Sequence, residues 1–260
     1  MTLAELLQEY NVPTSPDGHK HTRQGWNHVD CPWCGLVGHK PTYGRVDLTG
    51  VLPLAASLDH GGALVRDAAD ARLALEVLSG PLEPERPTTG LRWARAGDLV
   101  DGLPDADEVV LPEGIADCYR WTQGPEALAW HRATGRWPRH AAAYGTETRG
   151  NLERAERVTA EQQERARVQR AELRCWAAAL FARVDLLLLP VATVPPPLAG
   201  DDARLRDAVI PWTALANLAG LPACSVPRGL DADGLPTSVQ VVGPVGADAR
   251  VLDAARDLAR

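Results

Sequence analysis

Apolar residues recur along the chain with the spacing of helices in several segments. Between positions 64 and 78 they return every fourth residue, and Gly80-Pro81 follows, so this pattern predicts a helix that ends there. The sequence Thr159-Ala-Glu-Gln162 has the form of a capping box and predicts a second helix after it. Further helices are predicted within 113–150, over 208–219 and after Asp248, which we expect to cap the last of them.

Short apolar runs between these segments predict strands. Residues 186–190 are apolar throughout, which is typical of a strand that is buried on both faces. Residues 223–226 and 237–242 indicate two more strands, and 108–112 a shorter one. The segment 82–108 is rich in proline, arginine and aspartate, and we expect an irregular surface excursion there. Strands that alternate with helices indicate an α/β fold with a mixed sheet.

The composition is that of a globular protein and argues against several classes of partner. Of 260 residues 45% are hydrophobic and 23% are charged, and 27 basic against 34 acidic residues give a formal charge of −7. This charge argues against nucleic-acid binding, and no segment has the roughly 20 apolar residues that cross a bilayer. The first ten residues lack the basic charge of a signal peptide. We therefore expect neither a membrane nor a nucleic-acid partner, and five scattered cysteines indicate a reduced, cytoplasmic protein.

A specific series of motifs begins at Cys34. The sequence Cys34-Gly-Leu-Val-Gly-His-Lys-Pro-Thr42 is followed by Gly50-Val-Leu-Pro-Leu-Ala-Ala-Ser-Leu-Asp59 and by Gly62-Ala-Leu-Val-Arg-Asp-Ala-Ala-Asp70. Nearer the other end stand Asn217-Leu-Ala-Gly-Leu-Pro-Ala223 and Gly234-Leu-Pro-Thr-Ser-Val-Gln-Val-Val-Gly243. In this order, the five segments resemble motifs of the amidase signature family.

This resemblance implies a fold and a substrate class. It covers residues 34–260, and it implies that 36–260 form the C-terminal portion of the family's α/β/α sandwich, with a mixed sheet between helices. Family members hydrolyse carboxylic amides through a serine, a bridging cis-serine and a lysine, without a cofactor. The expected substrate is therefore a small-molecule amide. Because the front strands of that sandwich are not among the matched segments, we expect an exposed sheet edge and self-association through it.

The catalytic residues that the resemblance implies are not found in this sequence. In the family, the nucleophilic serine lies eight residues before the cysteine of the first motif, and here that position is Trp26. Before Cys34, the only serine is Ser15 and the only lysine is Lys20, and neither stands in the family's sequence setting. We therefore assign no catalytic residue and expect the chain as given to be inactive as an amidase.

A rearranged catalytic centre would have to use a serine of the matched part. Ser57, Ser225 and Ser238 are the candidates, and Lys40 and His60 are the nearest basic residues in the motifs. We expect Lys40 to anchor a loop or form an ion pair instead. His60 is expected to help fix a turn.

The first 35 residues carry a different signal. His19-Lys-His21, Gly25-Trp26 and Cys31-Pro-Trp-Cys34 resemble the zinc-binding head of bacteriophage-type DNA primases. Two cysteines separated by two residues suit one tetrahedral Zn²⁺. Cys31 and Cys34 are therefore predicted metal ligands, with His21 and His28 as the candidates for the remaining positions.

Both resemblances include Cys34-Gly35. We hypothesise that the chain is chimeric, with a primase-like zinc-knuckle fragment over 1–35 and an amidase-like portion over 36–260. The alternative to an amide hydrolase is therefore a non-catalytic zinc-knuckle protein that binds a partner.

Overall fold

The computed structural model describes residues 36–194, 202–231 and 235–259, and only the backbone of 202–205. Seven strands form one sheet: β1 Val37–Lys40, β2 Ala63–Val65, β3 Trp93–Arg95, β4 Ala106–Glu108, β5 Leu186–Pro190, β6 Ala223–Leu230 and β7 Pro236–Val242. Within the described ranges, six α-helices accompany it: α1 Ala68–Ser79, α2 Ile115–Ala133, α3 Thr146–Glu156, α4 Ala160–Phe181, α5 Asp202–Ala219 and α6 Asp248–Leu258. A short 3₁₀ turn covers Ala141–Ala143.

The sheet is mixed, with the order β2-β1-β6-β7-β5-β3-β4. The neighbouring pairs β2–β1, β1–β6, β6–β7 and β7–β5 are antiparallel. The pairs β5–β3 and β3–β4 are parallel. The predicted α/β fold with a mixed sheet is confirmed, and so are the strands predicted over 186–190 and 237–242.

Helices cover both faces of the sheet. Because side chains alternate along a strand, successive residues of β5 pack against different helices. On β5, Leu187 and Leu189 belong to an apolar cluster that includes α2, α4 and α5. Leu186 and Leu188 belong to a second cluster that includes α1 and α6. All four side chains are fully buried. The result is a three-layer α/β/α arrangement, as predicted.

The capping box before α4 is confirmed in both of its hydrogen bonds. The Thr159 hydroxyl accepts from the backbone N–H of Gln162 at 3.2 Å, and the Gln162 side chain accepts from the backbone N–H of Thr159 at 2.9 Å. These bonds satisfy two groups that would otherwise lack a partner near the helix start. Here a four-residue sequence signal located a helix boundary correctly.

The predicted helix over 64–78 exists, but it begins later than predicted. Residues 63–65 form strand β2, and α1 begins only after Asp67, whose side chain accepts from the backbone N–H of Asp70. Of the four-residue repeat, Leu73 and Val77 are 61% and 78% exposed. The helix instead buries Ala68, Ala71 and Leu75 against the sheet. These residues also have helical spacing, and the two alanines permit a closer approach to the strands.

The segment 82–108 is not wholly irregular, because it contains β3 and β4. The strand predicted over 108–112 lies earlier, at 106–108. Each of these strands has three residues, which is too short for an alternating pattern to be recognised. Tertiary pairing fixes them: β3 lies between β4 and β5 in parallel register.

Candidate functional site

The first motif includes β1 and ends in a loop that is tied to the start of α6 through Asp248. This carboxylate is fully buried and accepts from the Thr42 backbone N–H at 2.8 Å and from the Thr42 hydroxyl at 2.6 Å. The Arg45 guanidinium lies 3.6 Å from the same carboxylate. The prediction that Asp248 caps α6 is therefore wrong: the N-cap is Ala247, and the Asp248 side chain points to the loop after β1.

The same loop is joined to the segment between α5 and β6, which carries the fourth motif. The Lys40 ammonium donates to the carbonyl oxygens of Leu221 at 2.5 Å and of Pro41 at 3.1 Å. The backbone N–H of Tyr43 donates to the carbonyl of Gly220 at 3.1 Å. These bonds agree with the expectation that Lys40 anchors a loop.

His39 is the most deeply buried ionisable ring among the described residues. Its side chain is 1% exposed, and its Nε2 lies 3.9 Å from the Asp248 carboxylate. This nitrogen has no hydrogen-bond partner among the described residues. Burial lowers the pKa of His39 to about 4, although the Asp248 carboxylate opposes this effect. The ring is therefore neutral near pH 7.

The second motif places Ser57 between two charged side chains from distant helices. The Ser57 hydroxyl lies 2.5 Å from a carboxylate oxygen of Glu126 on α2 and 2.6 Å from a guanidinium nitrogen of Arg170 on α4. Arg170 also donates to the backbone carbonyls of Ser57 at 2.6 Å and of Leu218 at 2.9 Å. We call the contacts of Thr42, Ser57, Arg170 and Asp248 the motif network.

His60 helps to fix the turn of this motif, as predicted. Its Nδ1 lies 2.6 Å from the Leu58 carbonyl, so Nδ1 carries the proton. The neighbouring Asp59 carboxylate accepts from the backbone N–H groups of Leu54 and Ala55. Burial and the nearby Lys40 charge lower the pKa of His60 to about 4.

Among the described residues, no candidate serine is paired with Lys40 or His60 as a catalytic pair would require. Ser57 is bonded to Glu126 and Arg170, and the Ser225 hydroxyl lies 3.5 Å from the carbonyl of Gly38. Between described residues, no hydrogen bond joins a serine to Lys40 or His60.

The sequence interpretation missed Glu126 and Arg170. They lie 69 and 113 residues from Ser57, and neither belongs to a motif that was recognised in the sequence. Only the packing of α2 and α4 against the loop shows that they meet Ser57. No signal near Ser57 in the sequence could have identified them.

The predicted metal ligands His21, His28, Cys31 and Cys34 lie outside the described residues. Within 36–194, 202–231 and 235–259, no group of three or more histidine, cysteine, aspartate or glutamate residues could hold a metal ion. Zinc binding therefore stays a prediction from the sequence.

The described ranges contain three cysteines, and none of them forms a disulfide bond. Cys118 and Cys224 are buried and Cys175 is exposed, and burial raises the pKa of Cys118. The described helices include none that is both long and apolar enough to cross a membrane.

Comparison with known proteins gives this arrangement a family. The family model described as Amidase matches residues 31–96 and 134–252, more than half of the chain. A glutamyl-tRNA(Gln) amidotransferase subunit of Thermus thermophilus is 30% identical over 285 residues, which cover 86% of this chain and 59% of that protein. The protein AmiD of Mycobacterium tuberculosis, named as an amidase, is 29% identical over 250 residues, covering 81% and 53%.

Solved structures agree with the sequence matches. A crystal structure of an amidase superposes with a TM-score of 0.76 at 28% identity, covering 86% of this chain and 58% of that one. A bacterial aryl acylamidase shares the fold at 20% identity with a TM-score of 0.63. The chain thus spans between half and three fifths of the length of these relatives.

The family match begins at Cys31, inside the segment that resembles a primase head, and none of these matches supports that second resemblance. The boundary predicted between residues 35 and 36 also stays a prediction. The matched ranges contain the motif network around Thr42, Ser57, Arg170 and Asp248. The chain therefore belongs to the amidase signature family.

Proposed function

We propose that this chain supplies the C-terminal half of an amide hydrolase of the amidase signature type. The observation that carries the proposal is that three family motifs meet in the fold. Lys40 of the first motif donates to the carbonyl of Leu221 in the fourth, and Arg170 joins Ser57 of the second motif to Leu218 of the fourth. With a complete catalytic centre, the substrate would be a small-molecule carboxylic amide. The family's chemistry needs no cofactor in this part.

We further propose that the chain as given does not hydrolyse amides. Trp26 stands where the family's first motif implies the nucleophile, and an indole can neither attack a carbonyl nor relay a proton. Ser57 is a poor substitute, because the Glu126 and Arg170 contacts hold its hydroxyl in the scaffold. Removal of a nucleophile together with its base costs on the order of 10⁶-fold in rate.

A serine-reactive fluorophosphonate probe tests this directly. We expect no stoichiometric labelling of the full chain and no turnover of benzamide above the rate with denatured protein. The variant Trp26→Ser is expected to stay inactive, since the bridging serine and the lysine would still be missing. If the probe labels the chain and one of the substitutions Ser57→Ala, Ser225→Ala or Ser238→Ala abolishes this labelling, that serine is a nucleophile and the proposal of an inactive chain is wrong.

The N-terminal segment provides the alternative, a zinc-binding function without catalysis. The spacing of Cys31 and Cys34 favours it, and His21 or His28 would complete the site. Atomic absorption on tag-free protein is expected to show bound zinc that decreases as the pH falls, because thiolate ligands become protonated. A zinc content below about a tenth of an equivalent, unchanged in Cys31→Ser, would contradict this function.

We also propose that the chain associates with a second copy through the β2 edge. Among the described strands β2 pairs only with β1, so its outer backbone groups are available for pairing. Helix α1 packs next to β2 and exposes the apolar side chains of Leu73 and Val77. Light scattering should show a mass that rises with concentration, and less so in Leu73→Glu/Val77→Glu than in the control Val168→Glu on α4. A monomer at every concentration would contradict the proposal.

A further inference from the structure

A cavity of about 530 Å³ lies on the face of the sheet that α2, α4 and α5 cover, and its described lining includes no residue of the motif network. Helices α2, α3 and α5 contribute most of its walls. At Gly124, α2 and α3 approach so closely that a Cβ there would lie 3.3 Å from the Cβ of Ala155. The aromatic rings of Tyr119 and Trp121 and the side chain of Ile210 line it and pack against the core beneath.

The cavity is basic in a protein whose overall charge is −7. Four arginines line it, and Asp207 is the one carboxylate among the described residues of its lining. We call this cavity the arginine groove. Its arginines are Arg120, Arg154, Arg157 and Arg206.

Among the residues that the structure describes, two of these guanidiniums have carboxylate partners and two do not. Arg120 lies 2.8 Å from Asp207, and Arg206 is paired with Glu147. Within the described ranges, Arg154 donates only to the amide oxygen of Asn151, which carries no charge. Arg157 makes no ion pair or side-chain hydrogen bond with any residue that the structure describes, although its charge helps to lower the pKa of the adjacent Glu156.

Arg154 and Arg157 are three residues apart at the end of α3, so they lie on the same side of that helix. Tyr119, which carries a phenolic hydroxyl, lines the same cavity. Burial raises the pKa of Tyr119, so its hydroxyl stays protonated and remains a donor. The groove thus combines unpaired cationic donors, one neutral donor and apolar walls.

We propose that the arginine groove binds a small organic anion with a flat apolar body, such as an aromatic carboxylate. The carboxylate accepts hydrogen bonds from Arg154 and Arg157, whose planar guanidinium groups match its two oxygens. The aromatic body lies against Tyr119 and Ile210. This inference does not rest on the proposed amide hydrolysis, because it concerns binding at a separate cavity.

The experiment compares benzoate with benzamide, which have the same ring and differ in charge. Calorimetric titration of the full chain at low ionic strength should show benzoate binding at least about tenfold tighter, the factor expected from one charge-assisted hydrogen bond. Added salt should weaken benzoate binding, because the arginines are exposed. Equal binding of the two compounds, or binding of neither, would overturn the proposal.

Variants then locate the site. Arg154→Gln/Arg157→Gln should weaken benzoate binding by about tenfold or more, and Tyr119→Phe by a smaller factor, without a change in far-UV circular dichroism. The matched control is Arg167→Gln, an exposed arginine on α4 that pairs with Glu164 and does not line the groove. If the double variant and the control bind benzoate equally, the arginine groove is not the site.

Discussion

The motif network and the arginine groove use the same types of side chain for different purposes. Asp248 in the network is fully buried, and its carboxylate is bonded to Thr42 and lies near Arg45. Asp207 in the groove is 76% exposed and meets Arg120 at the surface. Burial makes a charge dependent on its partners, whereas exposure leaves it hydrated and free to exchange them. The network therefore stabilises the fold, and the groove retains charge for a ligand.

The largest expected effect is that of Asp248→Ala. The substitution leaves the Thr42 N–H and hydroxyl without their acceptor and Arg45 without its nearest carboxylate. We expect the free energy of unfolding to fall by about 3–5 kcal/mol. Urea denaturation measures this, with Asp117→Ala as a control at an exposed aspartate of α2. If the two substitutions lowered the free energy of unfolding equally, the buried carboxylate would not stabilise the fold more than the exposed one.

Arg170→Met tests the second part of the network. The substitution keeps much of the apolar stem but removes the hydrogen bonds to Ser57 and Leu218. We expect a loss of about 3 kcal/mol in unfolding free energy, because a half-buried glutamate, Glu126, loses its neighbouring cation. The control is again the exposed Arg167→Gln, which should change stability by less than about 1 kcal/mol. A loss as small in Arg170→Met as in the control would contradict a stabilising role.

The buried His39 predicts a pH dependence of stability. Its pKa is about 4 in the folded chain and near 6.5 when exposed, so between these values the unfolded chain binds more protons. The unfolding free energy should therefore fall as the pH decreases from 6.5 to 4, by about 2–3 kcal/mol from this group.

The variant His39→Leu isolates this contribution. Its unfolding free energy should fall less than that of the wild type over the same pH range. The matched control is His140→Leu, because His140 is exposed, and this substitution should leave the pH dependence as it is. Parallel pH curves for His39→Leu and the wild type would show that the ring is not held neutral by burial.

The smallest effect is expected in the groove itself. Arg120→Gln breaks the exposed ion pairs with Asp117 and Asp207, and we expect unfolding free energy to change by less than about 1 kcal/mol. Thermal or urea unfolding measures this at low and high salt. A loss as large as that of Asp248→Ala would mean that the groove is part of the stabilising framework.

Some elements could be predicted because their signals are local. The capping box at Thr159 and the apolar run 186–190 each carry their information within a few residues, and both were placed correctly. The strands β3 and β4 could not be recognised, because three residues are too few to show a period. The buried face of α1 could not be identified from the apolar repeat, because Leu73 and Val77 recur as regularly as the residues that are buried.

The sequence alone determined the family, through five motifs in order, and the α/β class. It also showed that Trp26 stands where the family's first motif implies a serine. Tertiary structure decided what the polar residues do. Asp248, expected as a helix cap, became the acceptor for Thr42, and Ser57 met Glu126 and Arg170 from helices far along the chain. The physical reason is that a motif fixes the conformation of its own loop. Hydrogen-bond partners and burial depend on which distant elements the fold packs against that loop.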